Sequence, residues 1–298
     1  MKIAEILKER TTFSFEVFPP KAEQPLEPLL ETLDKLYRFE PDFVSCTYGS
    51  GGTNKGRSLE ICAAIKQSGH EPVAHFTCIG NHRDEITRII GEYTARGIEN
   101  FLVMRGDFPP GQEETRGDFD HADQLTAFLR KEFPDICMAG AGYVEKHITA
   151  PSFDADITHL RSKQDTGASF IMLQLCHDVA AYERYIARIR RAGIHLPVIL
   201  GLMPVLARDS IINMTVSNGC SIPAELAVII GKYSSKPTDD EVVKKQKAAD
   251  FKKAGIEYTV NQIHRFMAAG IEGLHIYTLN KWEAVSEIVS ASGVRAVP

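Results

Sequence analysis

The chain is short of the cysteine patterns that build metal centres: it has six cysteines in 298 residues, and none of them forms a Cys-x-x-Cys pair. Closely spaced cysteines are the usual signature of zinc and iron–sulfur sites, so we expect no such site within this chain. Most of the cysteines lie in apolar, strand-like runs, which predicts buried and reduced thiols. Their positions are Cys46, Cys62, Cys78, Cys137, Cys176 and Cys220.

The sequence also lacks an excess of charge of either sign, because 34 Lys and Arg oppose 39 Asp and Glu for a net charge of -5. This balance gives no excess of positive charge that would favour binding to nucleic acid or to an anionic membrane surface. No apolar run approaches the ~20 residues of a membrane-spanning helix. Residues 1–10 form a charged amphipathic segment without the apolar core of a signal peptide. We therefore expect a cytoplasmic protein that binds neither nucleic acid nor a membrane surface.

A Gly-x-Gly-x-x-Gly fingerprint is missing after every apolar run, which argues against a Rossmann dinucleotide site. Instead, strand-like runs alternate with segments of helical periodicity along the whole chain. This alternation predicts an α/β fold, a (β/α)8 TIM barrel, with a doubly wound sheet as the main alternative. The predicted strands cover residues 12–18, 43–48, 72–78, 100–105, 137–143, 169–176, 197–203 and 273–279.

The segment 208–270 is too long for one connection, and its several helical patterns predict extra helices before the last strand. We find no linker, repeat or low-complexity stretch, so we expect a single domain over residues 1–298. Glycines that follow helical patterns predict left-handed helix caps. These glycines are Gly97, Gly167, Gly193, Gly255 and Gly270.

Polar residues of many kinds stand at the ends of the predicted strands. In a barrel of this type the active site lies at the carboxyl ends of the strands, so this concentration indicates an enzyme. Each such residue taken alone is as easily explained by packing. The strand-end residues are Glu16, Thr47, Tyr48, His75, Thr77, Arg105, Gly106, Asp107, Tyr143, Glu145, His147, Gln174, Tyr277 and Asn280.

Side-chain alternation points Glu16 into the barrel if Phe13, Phe15 and Val17 pack on the helices. A carboxylate there loses hydration, so we expect its pKa to rise, which would suit a general acid. The structural alternative is an inward glutamate that pairs with Arg105.

The same alternation places Gln174 on the face of Met172 and Cys176, with Leu175 on the opposite face. An inward glutamine can donate and accept hydrogen bonds at once, which suits a planar heterocycle.

Several short segments, taken together and in this order, carry a resemblance over nearly the whole chain. They closely resemble methylenetetrahydrofolate reductases of the short bacterial type. The segments are Ser-Phe-Glu-Val-Phe-Pro-Pro at 14–20, Thr-Tyr-Gly at 47–49, His-Phe-Thr-Cys at 75–78, Arg-Gly-Asp-Phe-Pro-Pro at 105–110 and Tyr-Thr-Leu-Asn at 277–280.

The resemblance implies a flavoprotein barrel that binds FAD without a Rossmann fold and reduces 5,10-methylenetetrahydrofolate. NADH or NADPH would give hydride to the flavin and leave, and the folate would then take the hydride. Glu16 would be the acid that opens the bridging ring, and Asp107 would lie near the flavin and the pterin. Gln174 would contact the pterin and the nicotinamide in turn, and Tyr277 and Lys281 would complete the folate site.

The resemblance also assigns the residues that hold FAD. Arg105 and Lys163 suit a pyrophosphate, and Asp156 suits a ribose hydroxyl, although Lys163 could instead be a solvated helix residue. The implied FAD residues are Thr47, Tyr48, His75, Arg105, Gly106, Asp107, His121, Ala122, Tyr143, His147, Ala150, Asp156, His159 and Lys163.

The sequence departs from the family pattern mainly around the electron donor. Leu175 and Cys176 stand where phenylalanines are usual, Arg208 aligns with an aromatic residue, and His121 takes the place of a tyrosine. These changes leave the donor open between NADH, NADPH and a partner subunit that carries iron–sulfur clusters.

Two other functions remain as alternatives to a methylenetetrahydrofolate reductase. One is an FAD barrel enzyme of the proline dehydrogenase type. The other is a non-catalytic barrel subunit of a methyl-transfer or electron-transfer complex. For the reductase we expect a homo-oligomer.

Overall fold

The computed structural model describes residues 1–48, 55–108 and 117–295. Within these ranges the strands β1 to β8 form a closed parallel barrel in chain order. Closure comes from the pairing of β1 with β8, from Thr12 opposite Gly273 to Glu16 opposite Tyr277, and it excludes a doubly wound sheet. The strands are β1 Thr12–Val17, β2 Phe43–Cys46, β3 Pro72–Thr77, β4 Asn100–Met104, β5 Cys137–Gly142, β6 Phe170–Leu175, β7 Val198–Leu202 and β8 Gly273–Tyr277.

The predicted (β/α)8 barrel is therefore confirmed, and each strand end lies within two residues of its predicted position. The predicted extra helices are also present, as α8 to α10 between β7 and β8. In the described ranges the helices are α1 Ile3–Glu9, α2 Glu27–Leu36, α3 Lys55–Gln67, α4 Arg83–Thr94, α5 Ala122–Glu132, α6 Phe153–Asp165, α7 Val179–Arg191, α8 Arg208–Ser217, α9 Ala224–Lys232, α10 Glu241–Ala268 and α11 Trp282–Ser292, with a 3-10 turn at Tyr37–Phe39.

Helix α1 closes the amino-terminal end of the barrel. Ile3 and Ile6 are buried in one cluster with barrel-lining side chains such as Phe43 and Phe170. The side chain of Asn100 holds the helix in place, because its Oδ1 accepts from Ile3 N at 3.0 Å and its Nδ2 donates to Met1 O at 3.1 Å. With this end filled, the polar residues of the opposite end face the open mouth.

The cysteines behave as buried thiols. Each of the six lies in the described part of the chain, has a free thiol, and is buried except for Cys220, which is partly exposed. Burial raises the pKa of Cys78 to about 11 and of Cys220 to about 12, so both groups stay protonated near neutral pH. Among the described residues, no group of three or more His, Cys, Asp or Glu side chains is arranged to hold a metal ion.

The described ranges also contain no helix that is both long and apolar enough to cross a membrane.

Most of the predicted glycine caps are confirmed, because Gly97, Gly167, Gly193 and Gly270 have positive φ after helices. The prediction for Gly255 is wrong. Gly255 lies inside α10, where the helix packs so closely on the chain after β7 that an added Cβ would be 2.0 Å from the carbonyl oxygen of Val205.

Gly255→Ala is expected to destabilise the protein by about 1–3 kcal/mol, because the methyl group overlaps backbone that cannot rotate away. Thr259 makes the contact rigid, since its Oγ1 accepts from Val205 N at 3.1 Å and donates to Gly255 O at 2.7 Å. The matched control is Gly91→Ala in α4, where an added Cβ meets no atom within 4 Å. There alanine should stabilise by about 0.5–1 kcal/mol through helix propensity. Urea unfolding of both variants checks the prediction, and equal midpoints would contradict it.

Candidate active site

Two adjoining pockets, both lined by described residues, open at the carboxyl ends of the strands. The inner pocket has about 200 Å³ at the barrel mouth, and the rim cleft has about 320 Å³ between β4, β5 and α6. Met104, Ala141 and Tyr143 line both. The inner pocket is completed by Glu16, Thr47, His75, Leu102, Met172, Leu173, Gln174 and Tyr277. The rim cleft is completed by Arg105, His121, Ala122, Asp123, His147, Thr149, Ala150, Pro151, Asp156, His159 and Lys163.

A larger cleft of about 850 Å³ lies outside the mouth against α7. Arginines 184, 188 and 191 line it, and among the polar strand-end residues Glu145 contributes to its wall. We place the candidate site at the mouth because the predicted catalytic and binding residues converge there.

Glu16 points into the inner pocket, as the alternation of β1 predicts. Phe13 and Phe15 belong to the core between strands and helices, while the Glu16 side chain keeps 21% of its surface exposed to the pocket. Its Oε2 lies 3.5 Å from His75 Nε2 and 3.7 Å from His275 Nε2. Glu16 does not form the alternative ion pair with Arg105: among the described residues its partners within ion-pair distance are these two histidines, and the Arg105 guanidinium lies over the ring of Phe108, 5.1 Å from its centroid.

His275, which the sequence did not lead us to predict, is fixed by contacts on both ring nitrogens and on its ring face. Its Nδ1 lies 2.7 Å from Ser14 Oγ, its Nε2 lies 3.1 Å from Ser45 Oγ, and its ring stacks on Phe43. Ser14 Oγ donates to the Leu274 carbonyl at 3.3 Å, so it accepts from Nδ1–H of the imidazole. The signal was available, because His275 shares the inward face of β8 with Tyr277 and Ser14 shares that of β1 with Glu16.

The expected rise in the pKa of Glu16 is wrong. Burial does raise this pKa, but the neighbouring side chains of His275, His75 and Ser45 stabilise the carboxylate, outweigh burial and hold the pKa below its ordinary value of 4.5. Burial lowers the pKa of His75, with Glu16 acting against that change. At neutral pH the site therefore holds a carboxylate beside a neutral His75 imidazole.

His75 also has unused hydrogen-bonding capacity. Its Nε2 is buried and has no hydrogen-bond partner among the described residues, although Glu16 lies within ion-pair distance. A buried nitrogen of this kind costs free energy unless a ligand or water satisfies it.

Tyr277 of β8 lines the inner pocket, and its side chain reaches past β7 to β6. Its hydroxyl donates to the carbonyl oxygen of Leu173 at 2.9 Å. The ring passes Gly201 of β7, where an added Cβ would lie 2.3 Å from the tyrosine oxygen. Glycine at this position is therefore required for the tyrosine ring to pass β7 and reach Leu173.

Gln174 lines the inner pocket, as predicted, and both ends of its amide are engaged. Its Nε2 donates to Asn218 Oδ1 at 3.0 Å, and its Oε1 accepts from Leu175 N at 2.8 Å. The prediction that Cys176 shares this face with Gln174 is wrong, because a register shift in β6 after Met172 breaks the alternation. Cys176 is buried in the core between strands and helices instead.

Lys163 places a cation at the back of the rim cleft. Its stem lies over Gly140, and its Nζ donates to the carbonyl oxygen of Ala141 at 2.8 Å. Burial lowers the pKa of this amine, while the charges of Asp156 and Asp123 act to raise it. Lys163 is thus directed into the cleft and is not a solvated helix residue.

The β5–α6 connection contributes another part of the wall of the rim cleft. His147 N donates to Asp156 Oδ2 at 3.2 Å, and the His147 ring packs edge-on against Tyr143 at 4.6 Å. Burial lowers the pKa of His147, and the charge of Arg105 adds to that effect. Burial, with the charges of Asp156 and Asp107, raises the pKa of Tyr143 to about 12.

Some predicted site residues do not line either pocket. The side chain of Tyr48 is buried between strands and helices, 5.1 Å from the ring of Phe76. Gly106, with φ of +92°, packs against Thr77 and Ile79 in the chain after β4, and Asp107 follows it as an exposed residue. Lys281 is exposed at the start of α11. Gly49 and residues 109–116 lie outside the described residues.

Comparison with known proteins identifies the family. The family model described as methylenetetrahydrofolate reductase matches residues 2–293. The chain belongs to the methylenetetrahydrofolate reductase family. The 5,10-methylenetetrahydrofolate reductase of Escherichia coli is 32% identical over 283 residues, which cover 95% of this chain and 90% of that protein. Methylenetetrahydrofolate reductase (NADH) 1 of Arabidopsis thaliana is 31% identical over 94% of this chain.

The chain spans about half the length of the plant and fission yeast members of the family, 49% in each case. Among solved structures, a protein from Clostridium thermocellum described as binding two copies of 5-methyl-5,6,7,8-tetrahydrofolic acid matches 99% of both chains with a TM-score of 0.65. At 13% identity this likeness shows the barrel fold alone.

Within this methylenetetrahydrofolate reductase family member, Arg208 is the first residue of α8, and it lines neither the inner pocket nor the rim cleft. Its guanidinium donates to Asp209 Oδ1 at 2.7 Å and keeps 37% of its surface exposed. Leu175 packs with Met203 and Val205 in the cluster under α8 to α10. Both departures from the family pattern therefore lie in or beside the region of α8 to α10.

Proposed function

We propose that this chain is an FAD-dependent reductase that converts 5,10-methylenetetrahydrofolate to 5-methyltetrahydrofolate. One observation carries the proposal: Glu16 faces a polar inner pocket between Gln174 and Tyr277, next to a cleft that ends at a buried lysine. The names of the curated relatives support the same reaction. Family membership and the inward Glu16 both argue against a proline dehydrogenase relative and against a non-catalytic subunit.

The rim cleft fits the requirements of FAD. Lys163 and Arg105 offer positive charge to a pyrophosphate, and Asp156 offers a carboxylate to a ribose hydroxyl. The unpartnered His75 Nε2 and the side chain of Thr47 would meet the ring system in the inner pocket. When bound there, FAD supplies hydride transfer between the electron donor and the folate.

Glu16 would act as the acid only after substrate has bound. The carboxylate is ionised while a fifth of its surface meets water, because its pKa is lowered. A folate that fills the inner pocket removes that water, and burial already acts to raise this pKa. Glu16 would then take up a proton and deliver it to a nitrogen of the bridging ring, whose opening gives the iminium that accepts hydride.

The remaining pocket residues bind and orient the substrate. Gln174 offers an amide donor and acceptor to the pterin ring. Tyr277, fixed by its hydrogen bond to Leu173 O, would give a rigid aromatic surface beside the pterin.

The test is to purify the chain, release any bound cofactor by heat, and identify it by mass. The holoprotein is then reduced anaerobically with dithionite and mixed with 5,10-methylenetetrahydrofolate. Released FAD, followed by rapid reoxidation that forms 5-methyltetrahydrofolate, is the expected result. FMN alone, or no reoxidation, would overturn the proposal.

The isolated chain is expected to use NADH and NADPH weakly, so that a partner protein could supply the electrons. Aromatic stacking contributes about 0.5–1.5 kcal/mol, so an arginine at position 208 in place of an aromatic platform weakens nicotinamide binding by up to about tenfold. Flavin reduction rates measured against NADH and NADPH concentration check this, with Arg208→Phe as the gain-of-affinity variant. Fast reduction that is half-saturated at low micromolar cofactor in the unmodified chain would contradict it.

A further inference from the structure

Asn218 joins the end of α8 to the inner pocket through the side chain of Gln174. It lies at the carboxyl end of the helix, where its backbone N–H and its Nδ2 both donate to Met214 O, at 3.3 and 2.8 Å. On its other side, Asn218 Oδ1 accepts from Gln174 Nε2 at 3.0 Å across 44 residues of sequence. One short side chain therefore spans the helix end and a pocket residue.

The orientation of both amides follows from groups that have only one hydrogen-bonding role. A carbonyl oxygen can only accept, so the Asn218 atom beside Met214 O is its nitrogen and the atom beside Gln174 is its oxygen. Gln174 must then present its own nitrogen to Asn218. The backbone N–H of Leu175 can only donate, and it independently requires the oxygen of Gln174 on the other side. The two determinations agree.

We propose that Asn218 is a positioning residue for substrate recognition, which fixes the Gln174 amide with one N–H and one oxygen lone pair available to the folate. This inference rests on the proposed function. A pterin has an acceptor carbonyl next to a ring N–H donor, so its recognition needs the donor and the acceptor of one amide in a fixed order. Without Asn218, the N–H of Gln174 loses the acceptor that holds it in that order.

A purely structural role for Asn218 as a helix cap makes different predictions. A cap acts through Met214 and the stability of α8, whereas a positioning residue acts through Gln174. Asn218→Leu removes both effects. Asn218→Asp keeps an oxygen for Gln174 but loses the donor to Met214 and adds negative charge at a helix carboxyl end, which destabilises the helix.

The experiment measures the dissociation constant of 5-methyltetrahydrofolate and the KM and kcat for 5,10-methylenetetrahydrofolate in the FAD-loaded protein. Asn218→Leu should raise both the dissociation constant and KM by about 3- to 10-fold, the scale of one hydrogen bond, with kcat changed less than about twofold. Asn218→Asp should recover the lost affinity while lowering the unfolding midpoint. In a Gln174→Met background, Asn218→Leu should have no further effect on binding.

The matched control is Asn213→Leu, an exposed asparagine on the same helix, which should leave folate binding unchanged. Additive losses in the Gln174→Met background would overturn the proposal, as would equal loss of affinity in Asn218→Asp and Asn218→Leu. Failure of the unmodified protein to bind the folate would overturn the proposed function itself. Folate binding that is unaffected by Asn218→Leu would overturn this inference alone.

Discussion

Glu16→Gln is expected to slow the transfer of hydride to 5,10-methylenetetrahydrofolate by about 10²-fold or more, the usual scale for loss of a general acid. The amide has the size of the carboxylic acid but cannot deliver its proton. Reduction of the flavin by NADH or NADPH should be unchanged, because that step needs no acid at the folate. The two half-reactions, measured separately by anaerobic stopped-flow absorbance, check this expectation.

The same variant is also tested by measuring the uptake of protons when the folate binds. The pKa of Glu16 is below 4.5 without substrate and should rise when a folate excludes water, so the unmodified protein should take up protons on binding near neutral pH. Calorimetry in buffers with different ionisation enthalpies measures this uptake, which Glu16→Gln should abolish. Glu145→Gln is the control, since Glu145 lies after β5 and accepts from Ser221 N away from the inner pocket. If Glu16→Gln left both half-reactions intact, Glu16 would be structural.

Lys163→Met is expected to raise the dissociation constant of FAD by about 10- to 100-fold, since a hydrogen bond to a charged group contributes about 1.5–3 kcal/mol. Methionine keeps the apolar stem over Gly140 but has no ammonium group. Burial lowers the pKa of Lys163, and an anion bound beside the amine would raise this pKa again. The prediction therefore includes a loss of FAD affinity at alkaline pH that the methionine variant does not show.

Lys131→Met provides the control for the loss of one positive charge, because the Lys131 side chain is 84% exposed. Its affinity for FAD should match that of the unmodified protein. Affinity is measured by quenching of flavin fluorescence on titration of the apoprotein. An equal dissociation constant for FAD in the Lys163→Met and Lys131→Met variants would show that Lys163 does not face the cofactor.

The sequence alone determined the barrel, its strand ends and the inward direction of Glu16. These features follow from periodicity, because alternation with a repeat of two and helical repeats are set by neighbouring residues. The same rule could have found His275 and Ser45, which share inward faces with Tyr277 and Thr47. It failed at Cys176, where a register shift in β6 interrupts the alternation, and at Gly255, where a helix interior and a helix end look alike in sequence.

Only the tertiary structure decided the sign of the pKa shift at Glu16. Burial and two imidazoles act in opposite directions, and their balance depends on distances between β1, β3 and β8. The hydrogen bond between Gln174 and Asn218 was likewise beyond the pattern, because it joins residues that are 44 positions apart in the sequence. Local sequence sets which face a residue takes, but its electrostatic and hydrogen-bond partners come from strands and helices that closure of the barrel brings together from distant parts of the chain.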